Sequence, residues 1–390
     1  MKNAVLILFF SLILLVYAAI NYYIIREGLM VFEPGSAWRL IWIWLVVVLA
    51  VSFVAGRLLE RQMITPLTTV LIWVGSFWLA IMVYLLLQLL LIDLIIFIQR
   101  WLKFLPEVFY NNALKTRQIM AIAIASITFV VVLAGHINTW FPKMNTLDLQ
   151  VHKKAGKLDS LNIVAFSDVH LGTLIEKRHL TRIVKKVNAS QADIILVPGD
   201  IIDEDIRPVI HSNVGKTLKK LKAKYGVYAV TGNHEYIGGI HKAKAYLNTH
   251  NIHLLNDAVA FIDKSFYIIG REDLMKNRMA NRKREDLSML VAETDNKFPL
   301  ILLDHQPFHL EDAVKNGIDL QLSGHTHHGQ LWPFNFITRM IYEKSWGYLR
   351  KGNTQFYVSG GVGGWGPPVR TVNRPEIVQI KLRFDKNKKS

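Results

Sequence analysis

The chain has 390 residues, 46 Lys/Arg against 30 Asp/Glu, a formal net charge of +16 and no cysteine. That length exceeds what one hydrophobic core usually organises, so at least two structural units are expected. Without thiols, disulfide scaffolds, thiolate metal sites and cysteine nucleophiles are excluded, and any metal must be held by nitrogen and oxygen.

Residues 1–150 are dominated by Leu, Ile, Val, Phe and Trp and carry ten Lys/Arg and six Asp/Glu, a net +4. Residues 151–390 hold the other 36 basic and 24 acidic residues, a net +12. A basic domain tethered to a membrane is drawn to anionic headgroups or anionic substrates, and phosphate compounds are both. No helix-turn-helix pattern, zinc-finger spacing or stacking-aromatic motif is present, so no nucleic acid partner is expected.

In chain order, four stretches approach the ~20 apolar residues that cross a bilayer: 4–25, 40–55, 67–98 and 119–134. The first follows Lys2, but its apolar run is too long for a signal peptide and lacks a small-residue cleavage site, so it reads as an anchor. The third exceeds one span by roughly ten residues at the helical rise per residue. Its end, with Asp93, Arg100, Trp101 and Lys103, is expected along the interface, Asp93 as an end-of-helix carboxylate near headgroups. Four spans make an integral multi-pass protein with both ends on one side. Six flanking basic residues (Arg26, Arg39, Arg100, Lys103, Lys115, Arg117) oppose four on the other side (Lys2, Arg57, Arg61, Lys143). The excess leans toward a second half outside the cytoplasm, and counting Lys153 and Lys154 brings the sides level. The plan is a transmembrane region over 1–135, an interfacial connector and first strand over 136–150, a soluble domain over 151–384 and a basic tail over 385–390.

From residue 161 the pattern changes to short apolar runs that stop at polar clusters. LNIVAF (161–166) ends in Ser167-Asp168-Val169-His170, and 194–197 ends in Pro198-Gly199-Asp200. The run 227–230 ends in Thr231-Gly232-Asn233-His234-Glu235, 300–303 in Asp304-His305, and 320–322 in Ser323-Gly324-His325-Thr326-His327. Helical periodicity lies between them at 177–190 and 214–225, the second with Leu218, Leu221 and Tyr225 on one face. Strands alternating with helices imply largely parallel sheet, whose ligands sit at the carboxyl strand ends.

Carboxylate, imidazole and amide oxygen suit divalent cations, and one carboxylate can bridge two. On an extended backbone Asp168 and His170, two apart, would point the same way, as would His325 and His327. Gly199, Gly232 and Gly324, each just before such a residue, let the backbone turn tightly and approach closely. Any one pair is weak; all five runs ending in ligand-type residues is not.

These motifs resemble the calcineurin-like metallophosphoesterase superfamily. Ser167–Gly172 (SDVHLG), Gly232–Glu235 (GNHE), Gly324–Gln330 (GHTHHGQ) and Val358–Ile377 (VSGGVGGWGPPVRTVNRPEI) are similar to its bacterial membrane-associated branch, placing the chain in a bacterial inner membrane. His328 stands where that branch more often has Gly, and Gln306 where Asn is usual. The resemblance implies an α/β fold, a four-layer αββα sandwich preceded by about four transmembrane helices. It also implies two divalent metal ions (Mn, Fe or Zn). One would be held by Asp168, His170, Asp200 and His327, the other by Asp200, Asn233, His305 and His325, with Asp200 bridging. His234 is placed as the general acid, Asp200 and Asn233 count with it as catalytic, and Asp203 and Glu235 are candidates to orient imidazoles. The expected reaction is attack of a metal-activated hydroxide on a phosphomonoester or phosphodiester, lipid-linked substrates included. Pyrophosphate cleavage in a nucleotide-linked lipid precursor is the alternative, and a non-catalytic scaffold is the alternative of another class.

The other histidines, among them His152, His179, His211, His241, His250, His253 and His309, read as surface residues. His328 either reaches the substrate phosphate or packs. The basic run 276–284 reads as a solvated face or a headgroup contact, and the aromatic run 331–349 as an acyl-chain groove or ordinary packing.

Overall fold

The computed structural model describes residues 2–104, 106, 112–279 and 282–386. It divides into two compact units, Met1–Gly135 and His136–Ser390.

Among its described residues the first unit is built of α1 (Lys2–Leu29), α2 (Ala37–Glu60), α3 (Pro66–Leu102) and α4 (Ala113–Thr139, whose last turn belongs to the second unit), four helices long and apolar enough to cross a membrane. Ser36 and Thr65 cap the starts of α2 and α3, Thr65 through a reciprocal box with Thr68. Ile24, Val46, Trp78 and Met82 form the apolar centre. Within it Trp78 Nε1 donates to Asn21 Oδ1 at 3.0 Å, satisfying two polar groups that lipid could not. Gly75 lets α3 lie against α2, because a Cβ there would land on the Phe53 backbone. α3 runs unbroken to Leu102 and ends where Lys103 turns left-handed, so the stretch holding Asp93 and Arg100 is continuous helix. Asp93 accepts a hydrogen bond from Tyr23 at 2.7 Å.

Among the described residues the second unit has twelve strands: β1 (Lys143–Val151), β2 (Ser160–Ala165), β3 (Ile194–Pro198), β4 (Val227–Val230), β5 (His253–Leu254), β6 (Ala258–Ile262), β7 (Phe266–Gly270), β8 (Leu300–Leu303), β9 (Leu320–Ser323), β10 (Gly347–Lys351), β11 (Thr354–Val358) and β12 (Glu376–Phe384). They form two six-stranded sheets, ordered β1-β12-β2-β3-β4-β5 and β10-β11-β9-β8-β7-β6. β2 through β5 are parallel in the first, and β7, β8, β9 and β11 in the second; the antiparallel pairs are β12 with β2, β6 with β7 and β10 with β11.

Inward side chains of both sheets, such as Ile163, Leu196, Phe266, Ile301, Leu322 and Ile380, share one core. Helix Lys177–Ala189 and its neighbours cover the outer face of the first sheet, and Leu287–Ala292 with Leu310–Lys315 cover the second. This is the four-layer αββα arrangement. The sheets are apolar on both faces, which is why the strand signals were continuous runs and not alternating ones.

The long helix expected over 214–225 is absent: Gly215–Leu218 is a single short turn of helix, preceded by Ile206–His211. Asn188 donates to the Lys220 carbonyl at 2.7 Å and accepts from the Lys222 amide at 3.0 Å, taking the backbone groups a continued helix would use.

His179 is buried, 7 % exposed, with its ring 5.1 Å from that of Trp140, and so is not the surface residue its spacing suggested. Burial, reinforced by Arg182 and Arg370, pushes its imidazole down to about 4 from 6.5. Between those two values the unfolded chain takes up a proton that the native state refuses, so stability falls as pH drops from 6.5 toward 4. The full loss is roughly 3 kcal/mol. Denaturant midpoints at about pH 7 and pH 4.5 should therefore differ less in His179→Gln than in the parent; equal differences would discard this assignment.

Candidate metal centre

The strand-end residues converge. Among the described residues, three groups bring ligand atoms within 4.8 Å of one another: Asp168, His170 and His327; His170, Asp203 and His234; and Asp200, His305 and His325. Asp168 and His170 follow β2, Asp200 follows β3, Asn233 and His234 follow β4, His305 follows β8, and His325 and His327 follow β9. Both sheets contribute, each at its carboxyl edge.

Asp200 lies at the centre. Its Oδ2 is 3.1 Å from His305 Nε2 and 3.8 Å from His170 Nε2, and its Oδ1 accepts the His234 amide at 2.9 Å. Asn233 Oδ1 sits 2.7 Å from His325 Nδ1 and 3.2 Å from His305 Nε2. His305 Nδ1 is anchored on the Pro198 carbonyl at 2.8 Å, which aims Nε2 inward. On the other side His170 Nε2 and His327 Nε2 are 3.0 Å apart, and His327 Nε2 is 3.7 Å from Asp168 Oδ1. All seven proposed ligands are thus brought together, Asn233 and His325 half-buried and the rest buried.

The backbone differs from expectation. Asp168, His170, Asp200, His325 and His327 all have positive φ, between 45° and 72°, so the Asp-x-His and His-x-His pairs are not extended. Such left-handed geometry in non-glycine residues is costly and persists where surroundings impose it. Here the post-strand loops hydrogen-bond one another: Asp168 N–H donates to Gly199 O and His170 N–H to Asp200 O, both at 3.1 Å, and the His325 amide donates to Asp168 Oδ1 at 2.8 Å.

The three glycines have the steric role their positions suggested. A Cβ at Gly199 would strike the His305 ring, at Gly324 the Asp168 carboxylate, and at Gly232 the Asp200 carboxylate. Gly232 has φ −104°, open to any residue, so its constraint is space alone. Gly232→Ala is expected to destabilise the domain by about 1–3 kcal/mol through overpacking and to lower bound metal per chain, read by elemental analysis beside thermal unfolding. Unchanged metal content would contradict the steric assignment.

Electrostatically, burial alone would raise the Asp200 carboxyl, but the facing His305 and His234 outweigh it and hold Asp200 well below the usual carboxylate range. Burial, with the neighbouring His305, pushes the His325 imidazole down to about 3, and His327 is likewise held well below its ordinary value by burial and His170. Burial would also lower His234, yet Asp200 and Asp203 bring it up to about 9. Burial would lower His305 as well, but the facing Asp200 holds it well above its ordinary value, so an entering cation must displace its proton, while the ionised Asp200 and the unprotonated His325 and His327 are already in the donor state that cations require. Converging oxygen and nitrogen donors, glycine-cleared approaches and this charge state fit divalent ions.

His234 Nδ1 is 3.2 Å from Asp203 Oδ1, which also lies 3.8 Å from His170 Nδ1, so Asp203 is placed to orient both rings. Glu235 is not: it accepts the Ile202 amide at 2.9 Å and the Gly232 amide at 2.7 Å, and so caps the Asn233–Gly238 helix. His328 packs, its Nδ1 3.0 Å from Ser345 Oγ and its ring 5.3 Å from Trp346. Within the basic run, Lys276 is paired with Asp257 at 2.8 Å, and buried Arg284 with Asp304 at 2.8 Å; neither is a solvated face. Ala280 and Asn281 of that run lie outside the described residues.

Two residues went unread. Arg370, 1 % exposed, places a guanidinium nitrogen 3.2 Å from His327 Nδ1 and donates to Gly361 O at 2.9 Å. Trp365 is exposed with its ring 5.9 Å from that of His234. Both belong to the glycine-rich 358–377 stretch, whose density of Gly and Pro was the available signal.

Two facing sheets that gather Asp, Asn and His at their carboxyl edges define a candidate divalent-metal site. The sequence profile of the family described as calcineurin-like phosphoesterase matches residues 161–329. An uncharacterized metallophosphoesterase of Helicobacter pylori is 35% identical over 233 residues, 58% of this chain and 61% of that protein. The uncharacterized metallophosphoesterase YkuE of Bacillus subtilis is 30% identical over 239 residues, 58% of this chain and 80% of that protein. A transmembrane protein with metallophosphoesterase domain from Bos taurus is 30% identical over 287 residues, 70% of this chain and 64% of that protein. The chain belongs to the calcineurin-like metallophosphoesterase family, while its match spans only about three fifths of the Helicobacter relative's length.

Proposed function

We propose that this chain is a membrane-anchored phosphohydrolase that cleaves a phosphomonoester or phosphodiester with two divalent ions. The observation that carries the reading is the meeting of Asp200 with His170 and His305, one from each sheet, between two donor groups. Asp168, His170, Asp200 and His327 would hold one ion, and Asp200, Asn233, His305 and His325 the other. Bound there, divalent cations supply Lewis acidity and activate water near neutral pH. The chain's own contribution is arrangement: His305 is fixed by the Pro198 carbonyl, and Asn233 Oδ1 sits against two imidazoles. His234, held by Asp203 through Nδ1, keeps its other ring nitrogen to protonate the leaving oxygen. The Trp365 indole stands beside that ring, 5.9 Å between centroids.

Purified full-length protein loaded with manganese should hydrolyse bis(nitrophenyl) phosphate, and chelator should remove the activity. A metal-loaded preparation that turns over no phosphoester would refute the reading. The four long apolar helices support placement in the bacterial cell membrane, and the basic residues flanking them support a second unit outside the cytoplasm. A carboxyl-terminal alkaline phosphatase fusion would be active in that orientation and silent in the opposite one.

A further inference from the structure

The helix Phe334–Ile341 is folded with its apolar side outward. At about 100° per residue, Phe334, Phe336, Ile337, Met340 and Ile341 fall in one arc of roughly 160°, and Asn335, Thr338 and Arg339 in the other. A helix of a soluble domain turns such an apolar arc to the core. Here Phe336 is 53 % exposed, Ile337 52 %, Met340 87 % and Ile341 57 %, while the one buried residue is Asn335. Exposed Trp332 and Trp346 flank the helix, and tryptophan at such a border suits a water–lipid boundary. Arg339 and Arg350 are exposed beside it, and Glu343, the only acidic residue between 331 and 350, is held by Lys351 at 2.8 Å.

We infer that this helix is a membrane-docking surface: it lies in the headgroup region of an anionic bilayer and presents bilayer-resident phosphate esters to the metal centre. The chain's own four apolar helices tether the second unit to a bilayer. The apolar arc with basic flanks has the composition that binds anionic lipid surfaces in plane. The helix also joins the site. Tyr342, at its end, has its ring 6.1 Å from that of His325, and the Ser345 carbonyl accepts a hydrogen bond from the Thr326 hydroxyl while its Oγ lies 3.0 Å from His328 Nδ1. The substrate half of this inference rests on the phosphohydrolase reading above; the docking half does not.

A chain without cysteine allows a clean label. Full-length Met340→Cys, spin-labelled and reconstituted in vesicles containing phosphatidylglycerol, should collide with oxygen in preference to a water-soluble nickel chelate, at a depth of about 5–10 Å. The same label at Arg339→Cys should favour the nickel chelate. A Met340 label that favours nickel, or one shielded from both reagents as in a contact between two copies, overturns the proposal. In the second arm, Phe336→Asp with Met340→Asp should lower turnover of phosphatidic acid in vesicles by about tenfold or more while bis(nitrophenyl) phosphate turnover changes less than about twofold. Equal losses on both substrates, or none on either, also overturn it. If the parent protein cleaves neither substrate, the phosphohydrolase reading fails, and the label still decides whether the helix docks.

Discussion

Replacing Asp200 by Asn is expected to cut phosphodiester turnover at least about a thousandfold and to reduce bound metal toward half. The carboxylate touches both donor groups through one oxygen, 3.1 Å from His305 and 3.8 Å from His170, while the other oxygen fixes the His234 amide. An amide keeps the shape but loses the charge and one acceptor. The several kcal/mol that paired cations contribute to phosphoryl transfer would largely go with it, and each 1.36 kcal/mol is tenfold in rate. Elemental analysis beside steady-state kinetics checks both parts. A variant retaining full metal and more than about a tenth of parental turnover would remove Asp200 from the bridging position.

His234→Ala is expected to lower kcat by about 10²–10⁴ while leaving metal content unchanged. The ring is buried and held by Asp203 at 3.2 Å, but its backbone amide, not its side chain, bonds Asp200. If the imidazole protonates the leaving oxygen, the loss must depend on the leaving group, small for nitrophenolate and large for an alkoxide of high pKa. Asp203→Asn should follow the same leaving-group trend with a smaller loss, about 10–100-fold, since it acts by orienting the ring. A uniform loss across leaving groups would instead assign His234 to packing.

The strand ends were legible because burial on both faces forces uninterrupted apolar runs, which stop abruptly where β2, β3, β4, β8 and β9 deliver Asp168, Asp200, Asn233, His305 and His325. What could not be read is set by contacts between distant segments. The left-handed backbone at Asp168 and His170 is held where the neighbouring loop after β3 bonds it, and nothing in Asp-x-His encodes it. Glu235 looks like a ligand-orienting carboxylate beside His234, yet the capping geometry of its own helix claims it. The 214–225 segment has helical periodicity and still breaks, because Asn188 from a separate helix binds its backbone. Arg370 gave no signal of its own, one of two arginines among glycines and prolines, and its partner His327 is far along the chain.

The left-handed conformations at five proposed ligands also limit how this protein can evolve or be engineered. At such positions glycine is conformationally best, and each strained side chain costs about 1–3 kcal/mol. Thermostabilising substitutions favoured by backbone geometry at residues 168, 170, 200, 325 and 327 would therefore delete the cation donors themselves. Screens selecting only for heat resistance should enrich inactive variants there, so durable activity must be sought in the sheets' shared core or on the helices outside them.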